Sequence, residues 1–290
     1  MNRIPKYIIL IGSLIILALV VGFGMRAQLG DMALLLAVSL LLIAIFVGLF
    51  RYAFVYSEKR IAGIMRKELD TALKVQNDHL EQRDLVEFWQ QEALLNIIQT
   101  IQPKIPLSPT RKWAASPDLL RLVMHEMFAN RPEYVVEASS GTSTLVIAYC
   151  LQKFGKGKVY SLEHDLLYAD RTRAMIKLHG LEEYAQVVDA PLIEHVIEGV
   201  QRKWYDTAGL LPNGKVDLMV VDGPPQSIQK LARYPALPLL RSLMAAKFTI
   251  IMDDGGRDDE REIASRWAKE CGAKSNEFIP LEKGAWLIKS

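Results

Sequence analysis

The sequence predicts an α/β fold for its C-terminal part, a mostly parallel sheet with helices on both faces, behind an apolar N-terminal segment. Three observations carry this. Strand-like and helix-like stretches alternate from residue 116 onward. The stretch 216–221 is nearly all apolar, as a strand buried on both faces must be. Five successive strand-like stretches end on a carboxylate, at Glu137, Glu163, Asp189, Asp222 and Asp253. Ligands of open α/β sheets bind beyond the carboxyl ends of the strands, so these acids are expected to converge on one crevice.

A chain of 290 residues, 50% of them hydrophobic, holds one large core and an appendage. The net charge of +2 argues against a nucleic-acid partner bound through a broad basic surface. The two cysteines, Cys150 and Cys271, fall in helix-like stretches and are expected to be reduced thiols rather than a disulfide or a metal knuckle.

The appendage comes first. Residues 7–23 and 32–50 contain no charge, and each has about the length needed to cross a bilayer. They predict two transmembrane helices joined by a tight hairpin at 24–31. Basic residues lie before the first span (Arg3, Lys6) and after the second (Arg51, Lys59, Arg60, Arg66, Lys67), against Arg26 alone between them. The positive-inside rule places both termini and the following domain in the cytoplasm, as a multi-pass integral membrane protein. A cleaved signal peptide is the alternative, but a small-x-small cleavage site is poorly formed at 22–27.

Residues 51–102 read as a charged helical linker, with no Pro or Gly from 64 to 101. Its apolar pattern is not sustained as a coiled-coil heptad. Phe88, Leu94, Leu95, Ile97, Ile98 and Ile101 form a denser face, expected to pack on the domain or on a second copy, giving a homo-oligomer. Pro103, Pro106 and Pro109 end the helix and open a domain at 103–290.

Within that domain Ser116, Pro117 and Asp118 form a helix start, followed by apolar pairs at helical spacing. A short strand at 134–136 then reaches Glu137 and a run of small residues, 138–143, before a helix at 144–154. Small residues there let a ligand approach the backbone, and the first N–H groups of the helix favour polar or anionic groups. A strand at 158–162 ends at Glu163, and its crossover helix, 168–179, stops at Gly180. The third strand, 185–188, leads to Asp189 and Ala190. The fourth ends at Asp222-Gly223-Pro224-Pro225, and the fifth, 248–252, at Asp253-Asp254-Gly255-Gly256. Stretches 278–281 and 285–288 read as an antiparallel hairpin at the sheet edge.

This order of acids and turns, closed by a C-terminal hairpin, resembles the class I S-adenosylmethionine-dependent methyltransferases over 113–290. V-D-G-P-P at 221–225 and I-I-M-D-D at 250–254 are similar to the metal-dependent O-methyltransferases of catechol and macrolide-sugar type. The resemblance implies a Rossmann-like sheet with a C-terminal antiparallel hairpin and S-adenosylmethionine as cofactor. It implies cofactor contacts from Glu137, Ser139, Ser140, Gly141, Ser143, Glu163, Asp189, Ala190 and Asp222. Glu163 would hold the ribose hydroxyls, while Asp189 and Ala190 would flank the adenine. Asp222 would stand at the reacting centre and, with Asp253 and Asp254, bind Mg²⁺ or another divalent cation through hard oxygen ligands. Trp113, Ser116, Arg233 and Tyr234 would lie at the substrate mouth, whereas Trp204, Tyr205, Trp267 and Trp286 are expected to pack.

Two departures stand out. Ser139 occupies a turn position where that family usually has Gly, and Gly223-Pro224-Pro225-Gln226 lacks the lysine that catechol-type enzymes carry after the fourth-strand acid. No general base is identifiable, although His164 follows Glu163. The function implied is a membrane-anchored methyltransferase acting on a hydroxyl acceptor, a glycan or a lipid-linked molecule. A nicotinamide-dependent dehydrogenase is a second possibility, opposed by the missing G-x-G-x-x-G. A non-catalytic membrane scaffold on a methyltransferase-like domain is a third.

Overall fold

The computed structural model describes residues 6–111, 114–210 and 212–290 and divides into two units, one ending at Glu81 and one running from Gln82 to Ser290. The N-terminal unit holds α1 (Lys6–Leu29) and the first part of α2 (Asp31–Ile101). The connection expected at 24–31 shrinks to Gly30, at φ +73°. Residues 25–29 (Met-Arg-Ala-Gln-Leu) are good helix formers and carry α1 on. A Cβ on Gly22 would meet Leu34 Cδ1 at 3.0 Å, so the two helices touch near their junction.

The helix that carries the second predicted span, α2, continues unbroken for 71 residues. Among the described residues, the helix from Leu34 to Ile101 is long and apolar enough to cross a membrane, by length and composition, and Gly12–Gly24 is a shorter apolar stretch.

The stretch expected as a charged helical linker at 51–102 is helix as far as Ile101. Its last turns belong to the C-terminal unit, where Gln90, Ala93, Ile97 and Ile101 are buried at helical spacing. Of the predicted apolar face, Ile97 and Ile101 enter the core, Leu94 is half-buried, and Phe88, Leu95 and Ile98 remain exposed.

The C-terminal unit then continues through α3 (Pro117–Asn130), β1 (Tyr134–Ala138), α4 (Thr142–Phe154), β2 (Lys158–Glu163), α5 (Leu166–His179) and β3 (Ala185–Asp189). After β4 (Leu192–Ile197) and β5 (Val200–Tyr205) come β6 (Val216–Val221), α6 (Ala236–Leu240), β7 (Met244–Met252), α7 (Asp258–Cys271), β8 (Ser275–Ile279) and β9 (Ala285–Lys289). The main sheet has the order β3-β2-β1-β6-β7-β9-β8. Its first five strands are parallel, and β9 runs antiparallel to both β7 and β8.

Alternate strand residues feed two cores. Val135, Val159, Leu218, Val220 and Ile251 face α3, α4, α5 and the end of α2. Val136, Tyr160, Met219, Ile250 and Met252 face the side closed by Trp204, Leu237 and Trp267. The β4–β5 hairpin, which supplies Trp204, has no counterpart in the sequence reading. Its two short strands pair only with each other, and charged or polar residues (Glu194, His195, Gln201, Arg202, Lys203) interrupt their apolar ones, so no long apolar run marks it.

Cys150 is buried in α4, and burial pushes its thiol up to about 12. At pH 8 the thiolate fraction is then about 10⁻⁴. Thiol labelling with peptide mapping should therefore modify Cys150 only as fast as the unit unfolds; rapid labelling of the native protein would contradict this packing.

Candidate active site

The chain reverses its direction of winding between β1 and β6, and at this point a cavity of about 600 Å³ opens beyond the strand ends. Ser139, Ser140, Gly141 and Ser143 line it, together with Glu163 and Asp222.

The turn is built from below. Glu137 is fully buried, and its Oε2 accepts hydrogen bonds from Thr144 Oγ1 and Ser161 Oγ, both at 2.6 Å. Thr144 Oγ1 in turn accepts from the N–H of Gly141 at 3.0 Å. Glu137 thus braces the turn from behind and does not line the cavity. Burial raises its pKa.

Ser139 sits at φ +122°, a conformation natural to glycine and strained for a residue with a Cβ. Such strain costs about 1–3 kcal/mol, while a glycine loses up to about 1 kcal/mol more backbone entropy on folding. Ser139→Gly should therefore raise unfolding free energy by about 1 kcal/mol in chemical denaturation. A loss of stability would mean that the turn does not hold this geometry.

At the end of β2, Glu163 is only 5% exposed and well organised. Its Oε1 accepts from the backbone N–H groups of His164 (3.0 Å) and Asp165 (3.1 Å), and its Oε2 from Ser140 Oγ (3.0 Å). Each carboxylate oxygen offers two acceptor directions, so capacity remains for hydroxyls of a ligand.

Asp189 and Ala190 do not reach the cavity. Asp189 is exposed and paired with the guanidinium of Arg173, and Ala190 is buried with its N–H donated to the carbonyl of Glu163 at 2.8 Å. Instead, Tyr168, Thr172 and Met175 of α5 line that side. Their i, i+4, i+7 spacing directly after Glu163 was a readable signal.

Tyr205, expected only to pack, also lines the cavity. It meets His164 edge to face at 5.8 Å, and a Cβ on Gly223 would come within 2.3 Å of its hydroxyl. Burial and the charge of Glu163 hold the phenol pKa well above its usual value, so it remains a donor.

Asp222, Asp253 and Asp254 converge as expected, with ligand oxygens within 4.8 Å of one another. They enclose Arg233, which is 3% exposed. Arg233 Nη2 donates to Asp254 Oδ2 at 2.5 Å, to Asp222 Oδ1 at 3.3 Å and to the Asp222 carbonyl at 3.2 Å; Nη1 donates to the Asp253 carbonyl at 2.6 Å. Arg257 Nη1 lies 2.9 Å from Asp254 Oδ2, and Lys283 Nζ lies 3.6 Å from Asp253 Oδ2. Burial and mutual repulsion push the pKa of Asp222 well up and that of Asp253 up.

A second cavity, of about 710 Å³, lies over this cluster and shares Asp222 and Pro225 with the first. The expected mouth residues are placed differently. Ser116 is buried, its hydroxyl donating to Asp118 Oδ1 at 2.6 Å. Tyr234 is buried, its hydroxyl donating to Glu270 Oε1 at 2.8 Å. Arg233 reaches the second cavity from inside the acid cluster. Trp113 lies outside the described residues.

Residues 138–255 match a family model described as a methyltransferase domain. Among curated proteins nothing matches the sequence. The solved structure of an SAH-bound methyltransferase from Podospora anserina aligns over 72% of this chain and 94% of its own, at 14% identity and a TM-score of 0.51. An O-methyltransferase from Bacillus cereus in complex with SAH covers 68% of this chain and 90% of its own, at 16% identity and a TM-score of 0.40. The first likeness shows the fold, a Rossmann-like, mostly parallel sheet.

Proposed function

We propose that the methyltransferase domain over residues 138–255 transfers a methyl group from S-adenosylmethionine to a hydroxyl acceptor, and that the apolar N-terminal helices anchor it in a membrane with both termini cytoplasmic. The observation that carries this reading is the meeting of two cavities at Asp222, the first floored by the small-residue turn and Glu163.

The residues fit the cofactor. A cavity of about 600 Å³ suits a ligand of its size, and Glu163 has acceptor capacity for a diol. The turn at Ser139, Ser140, Gly141 and Ser143 would meet its amino-acid part. When bound, S-adenosylmethionine supplies a sulfonium-activated methyl group. Tyr205 and Met175 line the same cavity. Asp222 Oδ1 is engaged by Arg233, which leaves Oδ2 to accept the hydrogen of an acceptor hydroxyl.

The divalent cation implied at Asp222, Asp253 and Asp254 does not fit, because a guanidinium already bonds two of the three carboxylates. No step is assigned to a metal. The membrane helices favour an acceptor that itself resides at a membrane, such as a lipid-linked glycan, over a freely diffusing one. The exposed apolar side chains of α2, among them Ile61, Ile64, Leu69 and Leu73, support pairing with a second copy, and cross-linking in membranes that yields only monomers would exclude it.

The test is calorimetric titration of the full chain in detergent with S-adenosylhomocysteine. Micromolar affinity is expected. A folded protein that binds neither it nor S-adenosylmethionine would end the enzyme reading. Binding without methyl transfer to any membrane extract would instead favour the scaffold reading, which the strained Ser139 motivates.

A further inference from the structure

We infer that the guanidinium of Arg233 stands in the place of a divalent cation among Asp222, Asp253 and Asp254, so that the charge of this acid cluster is compensated without a metal. The inference rests on the methyltransferase reading only for why a cation is expected there.

Geometry alone would let the three carboxylates hold an ion. Mg²⁺, however, requires about six oxygens at close to 2.1 Å in near-octahedral arrangement. Here the lone pairs of Asp254 Oδ2 and Asp222 Oδ1 already receive Arg233 Nη2, and Asp254 Oδ2 receives Arg257 as well. An added ion would meet a guanidinium within hydrogen-bond reach of two of its three ligands.

Charge points the same way. The four acids Asp222, Asp253, Asp254 and Glu260 face three cations, Arg233, Arg257 and Lys283. Little negative charge is left to attract a divalent ion, whereas an arginine cannot lose its proton and so neutralises the site permanently.

Arg233 is also locked from outside the cluster. On one side the N–H of Leu231 donates to Asp259 Oδ2 at 2.8 Å. On the other, the carbonyl of Tyr234 accepts from Trp267 Nε1 at 3.0 Å, and Arg202 and Arg266 lie over the Tyr234 ring at 5.1 and 5.4 Å. The backbone carrying Arg233 is thus held by α7 and by the core, and the guanidinium is aimed at the carbonyl ends of β6 and β7. This makes Arg233 a positioning residue. It fixes the Asp222 carboxylate at the junction of the two cavities and ties the Asp222 and Asp253 carbonyls together.

The test measures Mn²⁺ binding by the full chain in detergent, from the electron-paramagnetic-resonance signal of free Mn²⁺, beside melting temperature with and without Mg²⁺. The wild type should bind no Mn²⁺ at this site and show no Mg²⁺-dependent change in melting. Arg233→Lys, which keeps a charge, should behave likewise. Arg233→Ala should gain the stoichiometric Mn²⁺ binding that the wild type lacks, with melting temperature restored in part by the ion. Stoichiometric Mn²⁺ binding by the wild type that is lost in Asp253→Asn would overturn the inference, as would a folded Arg233→Ala protein that binds no better than the wild type. Should Arg233→Ala fail to fold, the wild-type and Arg233→Lys titrations decide alone, absence of binding in both upholding it. None of these readouts depends on methyl transfer.

Discussion

Arg233→Met should lower the stability of the protein at neutral pH by about 3–5 kcal/mol, the usual result of removing one partner from a buried ion pair. Methionine fills much of the same volume, so the loss would come from charge rather than from a cavity. It would leave Asp222, Asp253, Asp254 and Glu260 facing one another with only Arg257 and Lys283 for compensation. For a unit of about 200 residues the shift corresponds to a fall of about 10 °C in melting temperature.

The dependence on pH separates this cause from simple misfit. Burial and repulsion already raise the pKa of Asp222 and Asp253, and losing Arg233 raises them further. An unfolded chain releases these protons near pH 4, the folded variant only at higher pH, so folded-state binding of protons exceeds that of the unfolded state in between. Stability of the variant must therefore fall as pH rises through that interval. The deficit should be small near pH 4 and complete at neutral pH. Denaturation at two pH values measures it, and an equal deficit at both would point to packing instead.

Glu163→Gln should weaken S-adenosylhomocysteine binding about 30- to 150-fold, the loss of about 2–3 kcal/mol of charge-assisted hydrogen bonding. The glutamine carbonyl can still accept from the His164 and Asp165 N–H groups, and its amide can donate to Ser140, which reverses its own role. The turn is thus preserved while one acceptor and the charge are removed. Calorimetry should register the loss with melting temperature almost unchanged. Unaltered affinity would remove Glu163 from the ligand's contacts.

The structure brings Asp222, Asp254 and Glu163 to the two cavities, and their positions were readable because a strand buried on both faces announces its own end. The apolar run stops where the backbone leaves the sheet, and a carboxylate at that point is necessarily at the carboxyl edge. The small residues at 138–143 were readable for a similar reason, since a strand-to-helix turn is a local event. Asp189 obeys the same strand-end rule yet turns outward to Arg173, because which way a side chain faces after the last ladder bond depends on its neighbour in space.

The sequence by itself determined the alternation that makes the sheet, the acids at its edge, the turn that opens the cavity and the uncharged segments at 7–23 and 32–50. These depend on periodicity and local backbone preference, which act within a few residues. The tertiary structure alone decided that α2 runs unbroken into the globular unit, that β4 and β5 bring Tyr205 to the cavity, and that Ser116 and Tyr234 are buried. It alone lodged Arg233 among acids 11, 20 and 21 residues away along the chain. Pairing across such separations is set by which elements pack together, and no local pattern records it. The same carboxylates suggest a metal centre when read along the chain and a buried guanidinium site when folded, because a cation's identity is decided by the group that reaches them first in space.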